Sequence, residues 1–295
     1  MTASSPTIIF FGTEDFSLTA LQALVEADFS IGAVVTKPDT KRGRHQTLTA
    51  PAVKTYALAH HIPVWQPTAL RDIAADIQRF DRPVGVLVSY GKIIPQSIID
   101  LFQPGIINLH PSLLPLYRGP SPIEAVIRNR DQQTGISLML LSAAMDAGPV
   151  YTQVPYQLSG HETQDELYHT LGCIGAKVLV EQLPRILDGT LQPHTQDDSN
   201  ATYTHLLRKA DGTIDPQHHN AAEAEAMVRA YASYPRARLA IGTHQCIITA
   251  AHIAHTNDAP LCQRCADGLY LSIDELIAPS GKRLTAREFI RGYNV

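Results

Sequence analysis

Asn108 and His110 are the first side chains of this sequence whose types and spacing could do chemistry. They stand two residues apart at the end of the apolar run 106–110, which predicts a β-strand. Residues two apart in a strand point to the same face, so Leu109 between them would point into packing. An asparagine amide can donate to an oxygen that gains negative charge, and a histidine can exchange a proton near neutral pH. The pair therefore fits a site that stabilises negative charge and exchanges protons, although an isolated pair more often merely ends a strand.

Asp146 is a further candidate. It follows a predicted apolar strand over 136–141 and stands among small residues. A lone aspartate in a turn usually serves only the turn. A carboxylate at this place could instead fold back onto His110 and hold its imidazolium. We therefore take Asn108, His110 and Asp146 together as the candidate catalytic set.

A stiff loop follows His110 directly. Pro111 and Pro115 fix their own backbone angles, and Gly119 restores conformational freedom where the loop ends. A rigid loop that leaves the sheet beside Asn108 and His110 suits the wall of a binding site.

The elements that must position these residues alternate between strands and helices in the first half of the chain. Apolar runs and helical spacing predict strands over 7–11, 31–36, 62–65, 84–89 and 106–110, and helices over 17–27, 51–60 and 70–80. This order predicts right-handed crossovers and an α/β fold with a doubly wound, mostly parallel sheet. Ligands of such sheets bind beyond the carboxyl ends of the strands, which is where Asn108 and His110 stand.

The pattern changes after Gly135. Strands over 136–141 and 150–156 are separated by a short loop, which favours antiparallel pairing. Thr163 and Glu166 form a capping-box pattern, and the apolar residues that follow predict a helix to about Leu187.

The polar stretch from Asp188 to Asn200 is typical of a linker between domains. We therefore predict a catalytic domain over 1–188, a linker over 189–205 and a C-terminal domain over 206–295. Within the last part, a helix is predicted over 221–231 and strands over 237–241, 245–251 and 269–276. This pattern favours a small β-barrel with one helix over a second α/β unit.

Composition excludes several classes of protein. The 295 residues are 44% hydrophobic and 18% charged, which is enough to bury a core and argues against disorder. The formal charge of -4 argues against a general nucleic-acid coat or a polybasic membrane binder, but leaves room for one local basic patch. The four cysteines indicate no disulfide framework, no apolar run is long enough to span a membrane, and the N-terminus is polar. We expect a cytoplasmic protein and a monomer.

The motifs around the candidate set resemble the formyltransferases that use 10-formyltetrahydrofolate. The resemblance rests on Asn108-x-His110, the distal Asp146 and the Ser-Leu-Leu-Pro-Leu-Tyr-Arg-Gly stretch over 112–119. It implies a Rossmann-like catalytic domain, a small OB-like barrel, and Asn108, His110 and Asp146 as the catalytic residues. It also implies that the folate donor is contacted by Ser112, Leu113, Leu114, Pro115, Tyr90 and Gly91.

The chemistry implied by this resemblance is transfer of a formyl group to an amine. Asn108 and protonated His110 would stabilise the tetrahedral intermediate, and one such donor is typically worth about 3 kcal/mol. Asp146 would orient His110 and, through water, take the proton that the attacking nitrogen loses. No metal and no nucleophilic serine or cysteine would be required.

The resemblance covers essentially the whole chain and is nearest to the members that formylate methionyl-initiator tRNA for translation initiation. It is carried by the segments 11–16, 36–39, 43–44 and 279–292. It implies that Arg42, Gly43 and Arg44 form an arm that approaches the tRNA, although a solvated loop would have the same composition. The sequence departs from the family at His45-Gln46-Thr47, and at Tyr234-Pro235-Arg236, where Trp-Pro-Gly is common. These departures bear on tRNA affinity rather than on formyl transfer.

Other functions remain open on the sequence. An N-formyltransferase that acts on an amino-sugar nucleotide would share the candidate set and the donor. A hydrolase that releases formate would not need the C-terminal barrel, and a non-enzymatic tRNA-binding or folate-sensing protein would not need a His–Asp pair.

The sequence gives little indication of a nucleotide cofactor or a metal ion. No Gly-x-Gly-x-x-Gly or Walker loop follows the first strand, so we expect neither NAD nor ATP. Cys262 and Cys265 could form half of a zinc site, completed by Cys246, His252 or His255. An incidental loop is the leading alternative and a redox pair is another, and the family resemblance implies no metal.

Overall fold

The structure is a computed structural model and describes residues 6–42 and 46–293. The chain divides into two compact units. The first comprises Met1–Pro120, Thr134–Tyr156 and Tyr168–Tyr203, and the second comprises Ser121–Gln133, Gln157–Leu167 and Thr204–Val295. The division into domains over 1–188 and 206–295 with a linker over 189–205 stays a prediction.

The strands and helices follow the predicted alternation in the first half of the chain. The strands are β1 Ile8–Gly12, β2 Ile31–Val35, β3 Thr40–Arg42, β4 Thr47–Thr49, β5 Val64–Trp65, β6 Val84–Val88, β7 Ile106–His110, β8 Gln133–Leu140, β9 Val150–Gln157, β10 Arg238–Ile241, β11 His244–Ala254, β12 Cys262–Arg264, β13 Tyr270–Ile277 and β14 Arg283–Thr285. The α-helices are α1 Asp15–Glu26, α2 Ala52–Ala59, α3 Ala74–Ile77, α4 Gln96–Ile99, α5 Pro122–Asn129, α6 Gln164–Leu187, α7 Ala221–Ala230 and α8 Ala286–Gly292. Within the described residues, no helix is long and apolar enough to cross a membrane.

A seven-stranded sheet in the order β5-β2-β1-β6-β7-β8-β9 forms the first unit. The strands from β5 to β7 pair in parallel, whereas β8 runs antiparallel to β7. This confirms the predicted Rossmann-like, mostly parallel sheet. The interior strand β1 is buried along its whole length, since helices cover both faces of such a sheet, and its sequence is accordingly apolar throughout.

The predicted capping box opens α6. The backbone N–H of Thr163 donates to Oε2 of Glu166 at 2.8 Å, and the N–H of Glu166 donates to Oγ1 of Thr163 at 3.4 Å. These bonds satisfy two donors that a helix N-terminus leaves unpaired. The helix ends at Leu187, as predicted.

Two predicted elements of the first unit are shorter in the structure. The single helix predicted over 70–80 is a 3₁₀ turn, Leu70–Ile73, followed by the short α3, since Asp72 accepts the N–H of Ala69 and tightens the turn. The strand predicted over 62–65 is reduced to β5, because Pro63 has no N–H to donate to a neighbouring strand.

The second unit contains an antiparallel sheet in the order β10-β11-β13-β12, with β14 also paired to β13. This agrees with the small β domain that the sequence predicts. The predicted helix over 221–231 is α7, but the prediction of one helix is wrong, because α8 follows β14. A capping box of Thr285 and Glu288 starts this second helix.

Candidate active site

Asn108 and His110 lie at the carboxyl end of β7, an interior strand of the seven-stranded sheet between β6 and β8. They are 4% and 5% exposed. Leu109 points to the other face and packs closely against Gly175 of α6, where a Cβ would stand 2.8 Å from the leucine side chain. The alternation of the strand therefore places both polar side chains on one face, as the sequence predicts.

Asp146 lies in the loop between β8 and β9, and its side chain turns back toward the end of β7. Its Oδ1 accepts a hydrogen bond from Nδ2 of Asn108 at 3.4 Å, and its Oδ2 lies 3.8 Å from Nδ1 of His110. Oδ2 also accepts the backbone N–H of Gly119 at 2.8 Å. The structure thus brings Asp146 to Asn108 and His110, although Asp146 is 38 positions from Asn108 in the sequence.

His110 has an acceptor near each ring nitrogen. Nε2 lies 3.0 Å from the carbonyl oxygen of Tyr117, which can only accept, so this nitrogen carries a proton. Nδ1 faces the carboxylate of Asp146. A ring that donates at Nε2 to Tyr117 thus has the carboxylate of Asp146 on its other side.

The loop after β7 is held against β8 and β9. Oγ of Ser112 donates to the carbonyl of Leu116 at 2.6 Å, and Oγ of Ser137 donates to the carbonyl of Ser112 at 2.7 Å. Leu114 is buried against Met139 and Val150. These contacts give the loop the rigidity that its prolines predict. The folate contacts of Ser112, Leu113, Leu114 and Pro115 stay a prediction.

Tyr90, a second predicted folate contact, is buried in the core of the first unit. Its ring packs edge-on against Phe11, with centroids 5.7 Å apart, and its hydroxyl has no hydrogen-bond partner within the described residues. Burial raises the pKa of Tyr90 to about 12. Gly91 beside it has a φ of 71°, and a Cβ there would stand 2.3 Å from Nζ of Lys37. Folate binding by Tyr90 and Gly91 stays a prediction.

The basic arm is partly described. β3 and β4 form an antiparallel hairpin in which Arg42 pairs with Thr47. Gly43 and Arg44, which the sequence assigns to tRNA contact, lie outside the described residues. Asp39, the residue before this hairpin, is held by Lys54, whose Nζ donates to both of its carboxylate oxygens at 2.9 Å. Contact of Arg42, Gly43 and Arg44 with tRNA stays a prediction.

The zinc alternative gains no further ligand. Among the residues that the structure describes, no group of three or more His, Cys, Asp or Glu side chains could hold a metal ion. Cys265 is buried, which raises the pKa of its thiol, and Nδ1 of His252 lies 2.9 Å from a carboxylate oxygen of Asp274 instead.

Two residues of the site, Arg118 and Gln196, have no role in the prediction from the sequence. Arg118 stands within the motif over 112–119 but carries no role there, and Gln196 falls in the predicted linker. In the structure, Nε2 of Gln196 donates to the carbonyls of Asp146 and Gly148 at 2.8 and 2.7 Å. No local pattern in the sequence signals this contact, because the residues it joins are 50 positions apart.

Comparison with known proteins defines the class of this fold and site. A family model described as formyl transferase matches residues 7–183, and the chain belongs to this formyltransferase family. Its curated relatives include two methionyl-tRNA formyltransferases. The protein from Pseudomonas putida is 36% identical over 289 residues, which cover 94% of this chain and 93% of the relative. The protein from Chloroflexus aurantiacus is 42% identical over 235 residues, which cover 78% and 74%.

Solved structures share the fold. WlaRD, a sugar 3N-formyl transferase crystallised with dTDP and 5-N-formyl-THF, has a TM-score of 0.67 at 18% identity and covers 92% of this chain and 98% of its own. HypX from Aquifex aeolicus, in complex with tetrahydrofolic acid, has a TM-score of 0.67 at 15% identity and covers 97% of this chain and 47% of its own. Both structures were determined with a folate present, as expected for a family with a formyl-tetrahydrofolate donor.

Proposed function

We propose that this chain transfers the formyl group of 10-formyltetrahydrofolate to the amino group of methionyl-initiator tRNA. The observation that carries the proposal is the meeting of Asn108, His110 and Asp146 at the carboxyl end of β7. Family membership supports the reaction class, and the relatives that match along most of the chain support the acceptor. The enzyme works in the cytoplasm as a monomer, with no requirement for NAD, ATP or a metal.

The reaction begins when the amine attacks the formyl carbon, which places negative charge on the former carbonyl oxygen. Asn108 carries two amide protons, so it can keep its bond to Asp146 and still donate to this oxygen. His110 donates as well once its imidazolium exchanges the carbonyl of Tyr117 for the substrate oxygen. Site geometry commonly tightens in this way only when the substrate is bound.

Proton transfer completes the step. The attacking nitrogen loses one proton, which Asp146 accepts through a water molecule. When the carbon–nitrogen bond to the donor breaks, the leaving nitrogen of the folate takes a proton from the imidazolium of His110. The products are the formylated amine and tetrahydrofolate. Asp146 then returns its proton to His110, so the site is ready for the next turnover.

The acceptor is tested by supplying 10-formyltetrahydrofolate with either methionyl-initiator tRNA or a nucleotide-linked amino sugar. We expect formylation of the tRNA alone, unchanged by a metal chelator or by omission of ATP and NAD. Formylation of the sugar alone would replace the proposed acceptor with that of an amino-sugar nucleotide N-formyltransferase. Release of formate without either acceptor would indicate a hydrolase.

Arg44→Ala tests the basic arm. The substitution should weaken use of the tRNA while leaving the donor KM unchanged, and the defect should shrink as salt rises, because a lost phosphate contact reduces the salt dependence of binding. Arg79→Ala is the matched control, because Arg79 is exposed and pairs only with the neighbouring Asp76 among the ion pairs of the described residues. Equal effects of the two substitutions would rule out a specific role for the arm.

A further inference from the structure

Arg118 is a buried arginine whose guanidinium joins three side chains of the first unit. Its side chain is 2% exposed. Nε and Nη2 donate to Oε1 of Gln196 at 3.1 and 2.8 Å, Nη2 also donates to Asp198 at 2.6 Å, and Nη1 donates to the hydroxyl of Tyr203 at 3.1 Å. A buried guanidinium must have its donors matched, so this network constrains the position of every group it touches.

Gln196 passes this constraint to the loop that carries Asp146. Its Oε1 accepts two bonds from Arg118, and its Nε2 donates to the carbonyls of Asp146 and Gly148. An amide side chain has two acceptor sites and two donor protons, and all four are used here. Asp146 has a φ of 47°, in the left-handed region. Aspartate adopts this conformation more readily than most residues with a side chain, and the two bonds from Gln196 hold the carbonyls of this turn in place.

The residues on either side of Arg118 contact His110 and Asp146. We call Tyr117–Gly119 the strap. At one end of the strap, the carbonyl of Tyr117 faces Nε2 of His110 at 3.0 Å, and at the other end, the N–H of Gly119 donates to Oδ2 of Asp146 at 2.8 Å. The strap therefore sets the distance between the imidazole and the carboxylate.

The segment that holds Gln196 also fastens the strap through the backbone. The N–H of Tyr117 donates to Oγ1 of Thr202 at 2.8 Å, and the N–H of Arg118 donates to the carbonyl of Thr202 at 2.9 Å. The N–H of Thr202 in turn donates to the carbonyl of Pro115 at 3.2 Å. Residues 196–203 are thus joined to both the strap and the Asp146 loop.

We propose that Gln196 and Arg118 are positioning residues that set the carboxylate of Asp146 against the imidazole of His110. Neither residue touches the reacting atoms. This inference rests on the proposed function for its effect on turnover, while its geometric part concerns the folded protein alone. It makes residues 196–203 a working part of the active site rather than a passive connection.

Gln196→Glu tests the two hydrogen bonds that the side-chain amide of Gln196 donates. The substitution keeps an acceptor for Arg118 but places carboxylate oxygens against the carbonyls of Asp146 and Gly148. We expect kcat to fall about 10- to 100-fold, as for a shift of about 1 Å in a catalytic group. The KM values for donor and acceptor should change little, because the substituted atoms contact no substrate. Gln192→Glu is the matched control, since Gln192 stands four residues before Gln196, is exposed, and donates to the carbonyl of Gly189.

A second measurement reports the geometry without any turnover. The backbone amide resonance of Gly119 reports its bond to Asp146, so it should shift in Gln196→Glu and stay in place in Gln192→Glu. Arg118→Lys keeps the positive charge but loses the planar set of guanidinium donors, so it should shift the same resonance and lower kcat. This variant replaces Gln196→Glu in the test if Gln196→Glu does not fold.

Unchanged kcat and an unmoved Gly119 resonance in the folded variants would overturn the inference. The inference would also be overturned if activity fell only in proportion to the unfolded fraction of a variant, while the Gly119 resonance of its folded fraction did not move. If the wild type formylates no acceptor, the proposed function fails, and the Gly119 resonance alone then decides whether Gln196 positions Asp146.

Discussion

Replacement of Asp146 by asparagine should lower turnover without unfolding the protein. Its carboxylate lies 3.8 Å from Nδ1 of His110, and its side chain is 16% exposed. Two unit charges at this distance attract by about 4 kcal/mol at an effective dielectric of about 20, and by about 1 kcal/mol in water. Partial burial places the loss between these limits. If the attraction acts in the transition state, kcat should fall between about 5-fold and 1000-fold.

Asparagine is the informative replacement because the backbone of Asp146 is left-handed, with a φ of 47°. Asparagine and aspartate tolerate this conformation better than other residues with a side chain. The new side chain also keeps an oxygen that can accept the N–H of Gly119. Asp146→Ala would lose that bond and add backbone strain, so a fall in activity could come from a damaged loop.

Asp28→Asn supplies the matched control. Asp28 has a φ of 59° and is exposed, so it shares the backbone conformation but not the surroundings of Asp146. The assay is initial-rate formylation with saturating donor and acceptor, alongside thermal unfolding of both variants. A kcat within about twofold of wild type in Asp146→Asn would refute the electrostatic role assigned to the carboxylate. An equal fall in Asp28→Asn would do so too.

Three further predictions concern stability and reactivity. Arg236 is exposed with a φ of 71°, so Arg236→Gly should raise the free energy of unfolding by about 0.5–1 kcal/mol in denaturant titration, since relief of strain exceeds the entropy that glycine loses; a destabilised variant would contradict this. A thiol reagent at pH 8 should modify exposed Cys173 well before buried Cys246, whose thiol pKa is raised by burial, and mass spectrometry of the labelled peptides would reveal the reverse order. The hydrogen bond from Lys54 lowers the pKa of Asp39 below its ordinary 3.8, so this pair stabilises the fold at neutral pH and ceases to do so as the pH falls through the lowered value. The melting temperature should therefore fall less steeply with pH below about pH 4 in Lys54→Met than in wild type. Equal pH dependence of the two melting temperatures would count against the pair.

Local rules in the sequence predict much of the fold that carries this site. The strand β7 has the predicted bounds, because a proline-glycine turn precedes the apolar run and Pro111, which has no N–H to donate, follows it. Its alternation also fixes the shared face of Asn108 and His110. The helix α6 begins where Thr163 and Glu166 predict. Thr285 and Glu288 form the same capping box at the start of α8, the helix that the predicted one-helix domain lacks.

The contacts that hold Asp146 could not be predicted in this way, because they join distant parts of the chain. Gly119 is 27 positions from Asp146, and Gln196 is 50 positions away. The polar composition around Gln196 predicts a linker, since polar side chains usually face water. Polar side chains also donate hydrogen bonds to buried carbonyl groups, and composition alone does not distinguish such side chains from those that face water. Gln196 is 9% exposed, whereas the side chain of Asp198, two positions on, is 78% exposed. A single short segment thus faces both water and the active site, and only the pairing of its side chains distinguishes the two roles.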